Sequence, residues 1–401
     1  MKNHGMEVPQ ESFRDIFEYV AKRDAKEKGF RDSIMAMYKR NATWSNVILR
    51  AIVNSLALFI RPRKNSIKYF FWGTKFEELI LTLPQHEICV VGGPRQVIFC
   101  LKNKLYFIPE ARLWAPLYEG MRSGRMVGID TRLSCIITSL GSKIKKCSHK
   151  DAVFIVDNDS LPAQRLAIIS ARKAGVTKSI CIQHGIFQSK SPGDIFDGWF
   201  SDRFFVINQN QKQLLIDKGM DAGKIEVMGF HSSPYKPARP LSPPGSRKVC
   251  LIGQPWGKYG KGREEKYLKI LDKVTNILHG KGYQVCFKPH PWERGSDYLK
   301  NFSNVVDISM SDALENYDAF ISITSTALVE AAVSGRIAVQ LVDPEFDADR
   351  LSSEFSEVVS LDVDAEEFEN ALEKSMETDR TYALSRPLPL HRRFYMAVDE
   401  G

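Results

Sequence analysis

Two series of short apolar runs, each run alternating with a helical segment, constrain the fold of this chain more than any other feature. The first series comprises Ile67–Trp72, Ile88–Val91, Val97–Leu101, Val153–Val156, Ser179–Gln183, Phe204–Ile207 and Lys224–Met228; the second comprises Val249–Ile252, Gln284–Phe287, Ala319–Ile323 and Ile337–Leu341. Such runs between helices predict buried strands of parallel sheets assembled from βα units. The clearest unit is the strand Val153–Val156, the turn Asp157-Asn158-Asp159-Ser160, and a helix over Leu161–Ala174 opened by Pro162 and closed by Gly175. Proline in the first turn and glycine past the last are the expected start and stop signals. Between the two series, five prolines fall within the eleven residues from Pro234 to Pro244, which excludes regular structure and marks a domain boundary. A chain of 401 residues is also too long for one ordinary core.

The expected fold class is therefore α/β, with two doubly wound, Rossmann-like domains facing a cleft. The expected division is a helical N-terminal segment over 1–64, a first domain over 65–233, a Pro-rich linker over 234–247, a second domain over 248–385 and a C-terminal helix over 386–401. That last helix, basic through His391, Arg392 and Arg393, is expected to cross back and pack on the first domain.

Ligands of open α/β sheets bind beyond the carboxyl ends of the strands, so the residues just after each apolar run are the candidate site. In the second series three neighbouring runs end in phosphate-compatible chemistry. Val249–Ile252 enters Gly253-Gln254-Pro255-Trp256-Gly257-Lys258, with Gln254 and Lys258 as candidate ligands. Val285-Cys286-Phe287 enters Lys288-Pro289-His290-Pro291, where prolines fix φ on both sides of His290 and lower the entropy cost of presenting it. Ala319–Ile323 enters Thr324-Ser325-Thr326 at a helix start. Hydroxyls there sit beside free N–H groups and the positive end of the helix dipole, an arrangement suited to a phosphate, although simple N-capping by Ser325 would look the same. Glu330 follows one turn later on the face of Thr326, where a carboxylate can accept from ribose hydroxyls.

In the first series the strand ends deliver Asp157, Asp159 and His184 to one sheet edge. A histidine with an unperturbed pKa of about 6.5 suits base chemistry near neutrality; Asp157 or Asp159 is the alternative base, or orients that histidine. The Asp-Asn-Asp triplet reads equally as a weak metal-binding pair for a nucleotide diphosphate or as an ordinary turn. No other metal constellation appears, nor a GxGxxG fingerprint, a Walker loop or a Gly-x-Ser-x-Gly elbow. His231, in the linker, reads as an ordinary surface histidine or a hinge residue facing the cleft.

The net charge of +8 and pI near 9.0 imply anionic company: nucleic acid, phosphorylated substrates or a membrane surface. Lysine and arginine are dispersed rather than clustered with aromatics, so no nucleic-acid partner is expected. Seven cysteines without a CxxC pair read as reduced core residues of a cytoplasmic protein. Residues 1–40 are charged throughout and lack the apolar core of a secretory leader. The apolar stretch Trp44–Ile60, closed by Arg61-Pro62-Arg63-Lys64, is too short and polar to span a bilayer. It reads either as a helix buried against the first domain or as one lying peripherally in the inner-membrane interface beside anionic lipid.

Gln183-His184-Gly185 before the linker, with Lys288-Pro289-His290-Pro291 and Thr324-Ser325-Thr326 after it, resembles bacterial GT-B glycosyltransferases of surface-polysaccharide assembly, across roughly residues 150–345. The His-Pro pair followed by a hydroxyl pair is similar to the motifs of CMP-sialic acid and CMP-Kdo transferases. The His-Gly element and the later Thr-Ser-Thr segment also resemble the CDP-glycerol polymerases of teichoic acid synthesis. The resemblance implies a metal-independent transferase with no required cofactor, moving a sugar from a nucleotide-activated donor, CMP-linked by preference, to a glycan or lipid-linked hydroxyl. His290 would contact the donor phosphate and assist leaving-group departure, and Ser325 and Thr326 would hold the same phosphate. The acidic Asp/Glu-Asp/Glu-Gly motif of the bacterial sialyltransferases has no counterpart at a strand end here, Asp197-Gly198 being a poor substitute, so His184, Asp157 and Asp159 stand as candidate bases. The alternative functions are a CDP-glycerol or polyol-phosphate transferase and, as a second enzyme class, a UDP-sugar 2-epimerase of the same fold.

Overall fold

The structure, a computed structural model, describes residues 13–26, 30–41, 43–60, 62, 65–110, 114–123, 128–187, 199–230, 240–256, 261–291, 293, 295–346, 349–353, 355–377 and 389–399. The chain forms two compact units. The first comprises the chain up to Ile186, Ser191–His231 and Pro389–Gly401; the second comprises Phe187–Lys190 and Ser232–Leu388. The linker residues 234–239 and His231 lie outside the described residues.

The first unit is built on a seven-stranded sheet: β1 (Ile67–Trp72), β2 (Ile88–Gly92), β3 (Tyr106–Pro109), β4 (Ser148–Val156), β5 (Lys178–Ile182), β6 (Arg203–Val206) and β7 (Ile225–Val227). Its order is β3-β2-β1-β4-β5-β6-β7, every pairing is parallel, and the winding reverses between β1 and β4. All five residues of β2 are buried, as are Phe70 of β1 and Phe154 of β4, whose rings stack with centroids 6.5 Å apart. Near-continuous apolar strands of this kind belong to sheets covered on both faces, and each fully buried Val, Leu, Ile or Phe contributes about 1.5–3 kcal/mol. The helix Leu390–Asp399 lies in this unit's core. Leu390, Phe394 and Ala397 are buried in it, with Phe394 edge-on to Tyr69 at 5.6 Å. Arg393 Nη1 donates to the carbonyl of Phe230 at 2.9 Å. Gly229 (φ +86°) makes room, since a Cβ there would meet Arg393 Nη1 at 2.5 Å.

The second unit carries β8 (Lys248–Ile252), β9 (Gln284–Lys288), β10 (Ala319–Ser322), β11 (Ile337–Val342) and β12 (Val358–Asp362). The order is β12-β11-β10-β8-β9, again all parallel, and the winding reverses between β8 and β10. Helix Lys261–Gly280 packs Tyr267, Leu271, Val274 and Leu278 against Val249, Leu251, Val285 and Phe287. Asp318 pins the start of the unit, its Oδ1 accepting from the Ser242 N–H and its Oδ2 from the Lys248 N–H, each at 2.9 Å.

One sequence expectation changes. Val97–Leu101 is not a strand but the middle of the helix Pro94–Asn103, and the next strand is β3. Pro94 starts that helix, the Gln96 side chain accepts from the Gly93 N–H, and burial falls on Val97 and Cys100 while Ile98 and Leu101 are exposed. That is helical periodicity, not a two-sided apolar strand. The stretch Trp44–Ile60 meets the buried-helix reading in part. As a helix over Trp44–Leu56 and one 3₁₀ turn over Ala57–Ile60, it buries Val53 and Ala57 in the first unit's core but leaves Ile48, Leu49, Ile52, Leu56 and Phe59 exposed. Among the described residues, no helix is long and apolar enough to cross a membrane. The seven cysteines are unpaired; Cys135 is exposed and the other six are buried.

Candidate functional site

Because β10, β8 and β9 are neighbours in the sheet, their carboxyl ends place the Gly253, Lys288 and Thr324 loops side by side, at the point where the winding reverses. The Gly253 N–H donates to the Lys288 carbonyl at 2.8 Å, and Ser322 Oγ donates to the Ile252 carbonyl at 2.9 Å. Beyond these ladder ends, side chains take over. Thr324 Oγ1 donates to Gln254 Oε1 at 2.6 Å, and the Gln254 N–H donates to the Tyr267 hydroxyl at 3.0 Å. The His290 N–H donates to Glu293 Oε2 at 2.6 Å, while the Glu293 N–H donates to the His290 carbonyl at 2.8 Å. The Tyr298 hydroxyl donates to the other oxygen of Glu293.

Glu293 thus turns the Pro-His-Pro loop back on itself, at 2% exposure. Gly253 must be glycine for this reason: a Cβ would fall 2.1 Å from Glu293 Oε2 and 2.9 Å from the His290 nitrogen. Burial pushes the Glu293 carboxyl above its ordinary range, opposed by hydrogen bonds from Tyr298, the His290 and Gln254 N–H groups, and Tyr267. Burial raises both of those tyrosines as well, with the Glu293 carboxylate adding to the effect.

Around this web the predicted ligands are half-buried: Gln254, Lys288, His290, Thr324, Ser325, Thr326 and Glu330. Ser325 caps the helix Thr326–Val333, its Oγ accepting from the Ala327 N–H at 3.2 Å. A cation, an imidazole, hydroxyls and a helix start on adjacent strand ends form an edge suited to an anion. Lys258 lies outside the described residues.

Sequence reasoning missed Glu293, Tyr267 and Tyr298. Glu293 stood three residues after His290, the spacing at which a carboxylate reaches back to a backbone N–H. The two tyrosines carry no such signal, since they reach the web from the middle of one helix and from a 3₁₀ turn.

In the first unit, β4 and β5 are adjacent and end at Asp157 and at Gln183-His184-Gly185. His184 Nδ1 lies 2.5 Å from the Asp157 carbonyl oxygen. A carbonyl only accepts, so Nδ1 carries a proton, and in the neutral ring Nε2 then holds the free lone pair. Gln183 sets the loop: its Oε1 accepts from the Ile207 N–H at 3.0 Å and its Nε2 donates to the Gly185 carbonyl at 2.8 Å and to Gln211. Asp157 Oδ1 is buried with no hydrogen-bond partner among the described residues.

Asp159, by contrast, is 3% exposed, and its Oδ2 accepts from the N–H groups of Phe200 (3.1 Å) and Ser201 (2.9 Å). Its carbonyl accepts from Arg165 Nε at 2.7 Å. The structure therefore brings Asp157 and His184 together and sets Asp159 in the framework of the 199–201 segment. Asp197-Gly198 lies outside the described residues. Among the described residues no three His, Cys, Asp or Glu side chains converge as a metal site would require.

No family model matches the chain, and no curated protein matches it in sequence. Solved structures do resemble it. The UDP-GlcNAc 2-epimerase of Methanocaldococcus jannaschii superposes with a TM-score of 0.54 at 13% identity, over 84% of this chain and 99% of that one. Anabaena HepE in complex with UDP gives 0.53 at 10% identity, over 84% and 100%. The UDP-N-acetylglucosamine 2-epimerase of Rickettsia bellii gives 0.51 at 12%, over 84% and 97%. At such identities the likeness defines the fold, which is GT-B: two Rossmann-like units, each on a parallel sheet.

Proposed function

We propose that this chain is a nucleotide-sugar-dependent glycosyltransferase whose second unit holds the donor phosphate at the ends of β8, β9 and β10. The observation that carries the reading is the web joining Gln254, Thr324, His290 and Glu293, which locks three loops into one pre-organised, anion-compatible edge at the switch point of the sheet. Lys288 and His290 supply charge and hydrogen bonds to the phosphate, Ser325 and Thr326 supply hydroxyls beside the helix start, and Glu330 accepts from sugar or ribose hydroxyls. In the first unit His184 Nε2 is suited to take a proton from a hydroxyl; in the second the Lys288–His290 edge is suited to stabilise the charge of a phosphate that departs with the electron pair of its bond to the sugar. All these roles fall to side chains, with no resident cofactor invoked.

The resemblance of the Lys-Pro-His-Pro and Thr-Ser-Thr segments favours a CMP-linked donor and a glycan or lipid-linked acceptor of bacterial surface polysaccharide. A second reading, a UDP-sugar 2-epimerase, is favoured by the names of the fold's neighbours, one of them the M. jannaschii epimerase in complex with UDP-GlcNAc and UDP. A thermal-shift series with CMP, CDP, UDP and GDP on the wild type and His290→Ala tests both. Stabilisation by a cytidine nucleotide that disappears in His290→Ala supports the transferase. Stabilisation by UDP alone, with isomerisation of UDP-GlcNAc in the absence of an acceptor, replaces it by the epimerase. No response to any nucleotide defeats both.

A further inference from the structure

We infer that the first unit docks on an anionic phospholipid bilayer through the face formed by Trp44–Ile60, the edge strand β3 and the end of the helix Ile129–Cys147. On the Trp44–Leu56 helix, Ile48, Leu49, Ile52 and Leu56 share one side by helical spacing. Ile48 is 62% exposed, Ile52 is 53% exposed, and Phe59 in the turn beyond is 83% exposed. Burial of Val53 and Ala57 in the unit's core holds the helix in this orientation. The helix packs on its neighbour Pro94–Asn103, which exposes two more apolar side chains, Ile98 and Leu101. A concentration of large apolar side chains outside the core marks an interaction surface rather than a solvated one.

Charge selects the partner. Residues 33–76 contain eight lysines and arginines and no Asp or Glu; residues 131–150 contain five and again none. The two acid-free stretches meet in space. A cleft of about 480 Å³ is lined by Ala57 and Pro62 from the first, by Lys143 and Lys146 from the second, and by Phe107 and Ile108 of β3. Lys68 is paired with Glu87, and Arg132 with Glu119, so neither counts towards the surface. Lys143, Lys145, Lys146 and Lys150 are exposed at and beyond the end of the Ile129–Cys147 helix. Apolar side chains that enter the acyl boundary, beside lysines at the depth of lipid phosphates, are the chemistry of an anionic bilayer. The surface uses none of the nucleotide-compatible loops and stands whichever reaction the enzyme carries out.

Flotation of the full chain with phosphatidylcholine vesicles, with and without phosphatidylglycerol, tests the inference. Binding should need phosphatidylglycerol, fall as salt is raised, and drop more than ten-fold in Ile48→Ser/Phe59→Ser and in Lys145→Ala/Lys146→Ala. Val305→Ser, an exposed apolar position of the second unit, should bind as the wild type does. Equal binding to both vesicles, binding to neither, or undiminished binding by Ile48→Ser/Phe59→Ser overturns it. So does light scattering that shows a dimer which that double variant dissociates, because a second copy would then cover the face.

Discussion

Thr324 Oγ1 donates to Gln254 Oε1 across 2.6 Å, and this bond ties the loop after β10 to the loop after β8 at the point where the winding of the second sheet reverses. Thr324→Val keeps the shape and removes the donor. A hydrogen bond of this kind is worth a net of about 0.5–1.5 kcal/mol, so nucleotide affinity should weaken roughly 2- to 10-fold while the folded state is retained. Titration calorimetry with the nucleotide found in the thermal-shift series measures this, and unchanged affinity would show that the joint does not shape the site.

Glu293 introduces a pH dependence of definite sign. Burial holds its carboxyl above the ordinary range, so over the window from its unfolded pKa up to its folded one the native state binds more protons than the unfolded chain. Stability contributed by the protonated form is complete below the unfolded pKa and is lost as pH rises through the folded pKa. Glu293→Gln removes the titration. The Tm of the wild type should therefore fall relative to Glu293→Gln as the pH is raised from about 4 towards 7. A gap that stays constant or moves the other way contradicts the assignment.

Asp159 and Asp157 look alike in the sequence, two residues apart in one turn, but the structure gives their carboxylates different surroundings. Asp159 Oδ2 accepts two backbone N–H groups. Asp159→Ala leaves both unpaired, at a cost of about 1–3 kcal/mol each, and should lower Tm. Asp159→Asn keeps an acceptor oxygen but cannot take a proton, so turnover should stay within about three-fold of wild type, whereas loss of a general base costs roughly 10²–10⁴-fold. Steady-state kinetics on the two variants separates framework from chemistry.

The strand ends were legible because each of β4, β5, β8, β9 and β10 is an apolar run that stops abruptly at polar residues, and the βα alternation predicts where such stops congregate. The Lys288–His290 and Thr324–Thr326 segments were found in that way. What was hidden is contact between groups distant in sequence or lacking periodicity: Tyr267 under Gln254, Glu293 turned onto the His290 nitrogen, Phe200 and Ser201 on Asp159. Val97–Leu101 misled because its composition suits a strand, while the burial of Val97 and Cys100 alone is a three-residue spacing that only packing reveals. The Trp44–Ile60 helix shows the same limit, since an apolar residue carries no mark of which of its faces the core will take.

His184 is the residue on which the proposed chemistry turns, and its tautomer makes a sharp test. With Nδ1 donating to the Asp157 carbonyl at 2.5 Å, Nε2 is the acceptor a general base requires. In His184→Asn the amide N–H can replace Nδ1 as donor to that carbonyl, so the loop held by Gln183 should keep its conformation and Tm should not change. The variant has no group that accepts a proton near neutrality, so kcat should fall roughly 10²–10⁴-fold. Nucleotide affinity should be retained, because the phosphate-compatible loops all belong to the second unit. His184→Ala should lose both turnover and loop order. If His184→Asn transfers sugar at the wild-type rate, the base is elsewhere, and Asp157, with its buried and unpartnered Oδ1, becomes the residue to change next.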